Sequence, residues 1–72
     1  MSKYIGKKIK VEGFTIKGFN ELSRVYIVAK IDDEQIITKC GHTIELAWDR
    51  TVYGANNRRV MTEARVCWDS AQ

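Results

Sequence analysis

Ile9 and Val11 alternate with Lys8, Lys10 and Glu12, so residues 7–17 begin as a strand with one buried face. After Gly13 the alternation slips by one, and Phe14 and Ile16 become the apolar positions. A β-bulge at Gly13 returns them to the face of Ile9 and Val11; the alternative is a turn at Gly13 between two short strands. Residues 18–23, with Gly18 and Asn20, read as a loop. The strongest strand runs from Arg24 to Ile31. Its pattern assigns Val25, Ile27, Ala29 and Ile31 to the core face, and Arg24, Tyr26, Val28 and Lys30 to the outer face.

Asp32-Asp33-Glu34 is a polar turn, after which residues 35–40 return as the second arm of a hairpin. Gly41 breaks the run. His42, Ile44, Leu46 and Trp48 then alternate with Thr43, Glu45 and Ala47 as a fourth strand. Residues 49–59 read as a long loop around Gly54-Ala55-Asn56-Asn57. Residues 60–68 fit two periods. Val60, Thr62, Ala64, Val66 and Trp68 alternate as a strand, and Val60, Met61, Ala64, Cys67 and Trp68 share one helical face. The β-branched content favours the strand. The chain thus reads as one mainly β domain over residues 1–72, a small antiparallel SH3-like or OB-like barrel or twisted sheet of four to five strands. A sheet with one C-terminal helix over about 58–68 is the alternative.

Composition narrows the class. Seventy-two residues with 44% hydrophobic and 29% charged side chains suit an ordered small domain. A chain of this size has a stability of roughly 3–5 kcal/mol. No apolar run approaches a membrane span, and no apolar stretch follows the first lysines as in a signal peptide. With two cysteines, this points to a cytoplasmic protein with reduced thiols.

Few residues carry catalytic chemistry. Cys40 and His42 lie two apart, on one side of an extended chain, which is the start of a nucleophile–base pair. No third group orients them, and catalysis is not expected. Cys40, His42 and Cys67, with Asp69 as a fourth, offer metal ligands. Closed zinc sites take paired ligands at both ends, whereas only one end is paired here. The favoured reading is no metal and two cysteines acting as small buried hydrophobes. The five glycines are dispersed and make no phosphate-binding loop, so no cofactor is indicated.

Twelve basic against nine acidic side chains give a net charge of +3. Lys8, Lys10 and Lys17 share the outer side with Arg24 and Lys30, with Tyr26 between the last two and Lys39 extending the patch. Arg58 and Arg59 add a second basic site beside Asn56 and Asn57. Such residues track phosphates, and an exposed aromatic stacks on bases. Nucleic acid, bound with little sequence preference, is therefore the first expected partner. The order Val11-x-Gly13, Lys17-Gly18, Val25 resembles the KOW element of ribosomal and transcription-factor SH3-like domains. It does so over only about twenty residues, without the later glycine and with a different spacing after Gly18, so no function is carried over.

The alternative partner is a protein. The strand from Arg24 to Ile31 is apolar on both faces, and Tyr26, Val28 and Ile37 form an outer patch that something must cover. A helix of the chain, a second copy or a partner of a small inhibitor or adaptor, of the kind phages and mobile elements encode, would do so.

Overall fold

The computed structural model describes residues 2–17, 20–47 and 49–72. The chain closes into an antiparallel barrel of six strands in sequential order. They are β1 (Lys8–Thr15), β2 (Glu21–Ile31), β3 (Gln35–Thr38), β4 (Thr43–Glu45), β5 (Val52–Tyr53) and β6 (Arg59–Cys67). Short 3-10 helices, Ser2–Tyr4 and Trp68–Ser70, flank them. The barrel expectation holds, with six strands where four to five were expected. Residues 59–67 form a strand, so the C-terminal helix is excluded. Two residues of the expected 49–59 loop pair as β5 between β4 and β6, which is what closes the barrel. The fourth strand is shorter than its alternation suggested, and Trp48, at its expected end, lies outside the described residues.

The core follows the pairing. Ile31, Ile36, Ile44, Val52 and Met61 are cross-strand partners in one inward row through β2 to β6. Ile9 and Tyr26 pair beside them, and Val11 pairs with Val66. The Asp32 turn is held by its own carboxylate, whose Oδ1 accepts the Glu34 (2.7 Å) and Gln35 (2.9 Å) N–H groups. Tyr4 and Trp68 pack ring against ring at 4.7 Å. They bring the N-terminal 3-10 turn against the end of β6, where Lys8 and Gln72 exchange backbone hydrogen bonds.

Two bulges change the face assignments read from the pattern. Between Val28 and Lys30 the β2–β3 register shifts by one, with Ala29 as the extra residue. The shift lets Tyr26, Val28 and Ile31 all face inward. Tyr26 (5% exposed) and Val28 (0%) are therefore core residues, while Val25 (63%) and Ile27 (36%) face solvent. This reverses the expected faces of the central strand up to Ala29. The second bulge is not in β1. Alternation runs unbroken through Gly13, which is itself buried, and Phe14 stays on the outer face with Lys10 and Glu12. The extra residue lies opposite, in β6: Glu12 pairs with Arg65 and Phe14 with Thr62, leaving Gly13 to face both Glu63 and Ala64. Glu63 takes φ +52, and the Ala64 N–H turns to the Arg50 carbonyl at 2.7 Å. A Cβ on Gly13 would lie 2.8 Å from the Thr62 carbonyl oxygen, so only glycine admits this approach.

Candidate interaction face

The outer surface of β1, β2 and β3 gathers most of the residues with recognition chemistry. Lys8 is opposite Ile27 and Lys10 opposite Val25. The Ile27 carbonyl accepts the Lys39 N–H at 2.9 Å, so Lys8 of β1 and Lys39, just past the end of β3, lie on either side of Ile27. With strands ~4.8 Å apart, the Lys8–Ile27–Lys39 row spans ~10 Å. Lys30 pairs with half-buried Ile37, and both line a shallow depression with Ile5, which is itself half exposed. The face is thus a stripe of Val25 and Ile27, continued towards Ile37 and Ile5 and bordered by lysines.

Electrostatics are uneven. Glu12 accepts from Arg65 (2.7 Å) and sits 3.1 Å from Lys10 Nζ. Arg65 first, and Lys10 second, hold its carboxyl below the usual range, and Glu12 raises Arg65 in return. Both pairs are exposed and weak in stability terms. Lys8, Lys30 and Lys39 make no ion pair among the described residues.

The expected basic surface is not one surface. Lys8, Lys10, Lys30 and Lys39 face outward around β2, and Lys17 lies beyond the end of β1. Arg24 pairs with inward-facing Val11, hence on the opposite face of β2, and interacts with Tyr26. Arg58 and Arg59 lie elsewhere on the barrel; Arg59 ends the row Lys30–Ile37–Thr43–Tyr53–Arg59, four strand steps around the sheet from Lys30. The expected patch of Tyr26, Val28 and Ile37 is likewise corrected. Tyr26 and Val28 are in the core, and only Ile37 keeps an outward place. Tyr26 offers no stacking surface.

The polar cluster at Tyr26 is internal. Its hydroxyl lies 3.3 Å from His42 Nδ1, and burial raises the phenol above its ordinary value, with the Arg24 cation opposing. Thr38 Oγ1 accepts the His42 N–H (3.0 Å) and lies 3.1 Å from Cys40 Sγ. The Cys40 thiol and the His42 ring thus engage different partners, Thr38 and Tyr26, and no hydrogen bond joins them among the described residues. Cys40 is exposed and Cys67 half-buried, so neither is the buried hydrophobe expected. Among the described residues no three His, Cys, Asp or Glu side chains lie together as metal ligands. A groove of about 600 Å³ on the β1–β2–β6 side, lined by Phe14, Leu22, Arg50, Glu63 and Arg65, mixes both charge signs.

Val25 and Ile27 are the residues the pattern missed. Lys8 and Lys10 mark the outer side of β1, and pairing β2 against them puts Val25 and Ile27 on that side. The pairing register, unlike the alternation, was not legible. Compared with known proteins, the chain matches no family model, no curated protein and no solved structure.

Proposed function

We propose that the protein is a non-enzymatic binding module, an adaptor or inhibitor, that engages a protein with an acidic surface through the outer face of β2. One observation carries this reading: Val25 and Ile27 are exposed in the middle of the longest strand, with Lys8, Lys10 and Lys39 around them. Exposed apolar stripes with a polar rim are how protein interfaces are built. The lysines suit an acidic counterpart and would speed association. Nucleic-acid binding is the second reading, favoured because Lys8, Lys30, Lys39, Arg58 and Arg59 make no ion pair among the described residues.

Site-specific photocrosslinking in the cells that make the protein separates the two. A photoreactive phenylalanine in place of Val25 or Ile27 is expected to give a protein adduct, lost when Lys8 and Lys39 are changed to Glu. The same group at Tyr53 should give none. Nuclease-sensitive adducts, with affinity falling by roughly 0.7–0.9 log units per log unit of salt for each neutralised phosphate, would establish the second reading instead. Absence of adducts at both Val25 and Ile27 overturns the first.

A further inference from the structure

We infer that the partner is an extended acidic segment that adds as a strand to the open edge of β2 at Ser23–Val25. The inference rests on the protein-binding reading above and names how the partner docks.

The edge follows from the ladder. β3 pairs with β2 only over Val28–Ile31, and the last bond between them runs from the Lys39 N–H to the Ile27 carbonyl. Among the described residues, β2 is paired on one side only from Glu21 to Val25, by β1. The Thr15 N–H donates to Asn20 and the Val28 N–H to Lys7, which fixes the alternation along β2. Leu22, Arg24 and Tyr26 turn their backbone groups to β1, and Ser23 and Val25 turn theirs away. Over the three residues Ser23–Val25, two N–H and two C=O groups therefore line an exposed edge about 10 Å long at ~3.3 Å per residue. Such an edge is a template for another strand.

Charge selects the occupant. Arg24 lies on one side of this edge, and Lys10 and Lys39 on the other with Val25. An added strand presents alternate side chains to the two sides. Apolar residues would cover Val25, and acidic residues would meet Arg24. A second copy fits poorly: the antiparallel register that uses both Ser23 and Val25 sets Arg24 directly opposite Arg24, a destabilising like-charge pair.

The test uses the full chain, 15N-labelled, and two synthetic octapeptides, one alternating Glu with Val and one alternating Lys with Val. The Glu/Val peptide is expected to shift the Ser23 and Val25 amides most and slow their exchange roughly ten-fold or more, with no such effect from the Lys/Val peptide. Arg24→Glu should exchange this preference. A chemically synthesised chain with an ester in place of the Val25 N–H keeps every N–H donor to β1, weakening only the Arg24 carbonyl as an acceptor there, and should bind the Glu/Val peptide roughly ten-fold more weakly, about the loss of one hydrogen bond. Equal binding of both peptides, or shifts that spare Ser23 and Val25, would overturn the inference. So would protection of those amides that grows with protein concentration alone, which would mean a second copy. If the ester binds as well as the parent while Ile27→Asp abolishes binding, the face reading stands and the edge inference fails. If crosslinks at Val25 and Ile27 yield no protein, the face reading itself fails.

Discussion

β2 crosses two environments. Over Val28–Ile31 it pairs with β3, its Val28 also bonds Lys7 and Gly6 on the other edge, and its inward side chains join Ile36, Ile44 and Met61 in a closed core. Over Glu21–Val25 it has β1 alone among the described residues, and Leu22, although on the core side, stays only half-buried. The residue types differ little between the halves: Val25, Ile27 and Val28 are all β-branched and apolar. Burial is decided by where β3 ends and by the bulge at Ala29, not by side-chain chemistry. The closed half carries the core, and the open half carries exposed apolar and backbone groups, which the proposed recognition would use.

The sharpest way to break this contrast is to delete the same methylenes in each region. Ile36→Ala should cost ~2–5 kcal/mol, a loss comparable to the whole stability of so small a domain. Ile27→Ala should cost less, ~1–2 kcal/mol, because about a third of the residue (36%) is already in water. Chemical denaturation of the two variants checks this, and equal losses would mean that β2 is in the other phase. Gly13→Ala comes next. Its methyl would press on the Thr62 carbonyl at the β6 bulge, so a loss of ~1–3 kcal/mol is expected by the same measurement.

A smaller effect should appear in alkali. Burial favours the neutral phenol of Tyr26, so its folded value lies above the ordinary 10.0. The associated stability is complete below about pH 10 and is lost as pH rises through that value towards the folded one. Tyr26→Phe should flatten this decline relative to the parent in melts across pH 9 to roughly 11. An unchanged decline would place the phenol in water. The smallest expected effect is a gain. Glu63→Gly relieves the left-handed backbone at the bulge and should stabilise by up to ~1 kcal/mol. A loss there would mean that the Glu63 side chain matters more than its backbone.

Much of the fold was legible because period-2 alternation is a local signal. Ile9, Val11, Ile36 and Ile44 were placed on strands and face the core, and the Asp32 turn lies where its residues put it. Most of the errors have one origin. A bulge inverts faces without altering composition, and in a strand apolar on both sides, as at Val25 to Ala29, alternation is silent about which side is inner. Gly13 did mark a bulge, but in its neighbour, since glycine made room for the extra residue of β6. The candidate face inherited the inversion: Tyr26 and Val28 stood in for Val25 and Ile27. Alternation puts Lys8, Lys10 and Lys30 outside, with Lys39 extending them, and they do lie there; Lys30 keeps its side because the Ala29 bulge restores the phase. β5 escaped notice because two residues carry no period.

Residue-resolved amide exchange on the free protein at low concentration tests the central claim most directly. If β2 ends its second pairing at Ile27, exchange should alternate along the overhang. Leu22, Arg24 and Tyr26, bonded to β1, should be slow, and Ser23 and Val25 fast, while Val28 is slow with the core. Uniformly slow exchange from Leu22 to Val28 would contradict the account, because the edge and face assigned to recognition would then be covered by the chain itself.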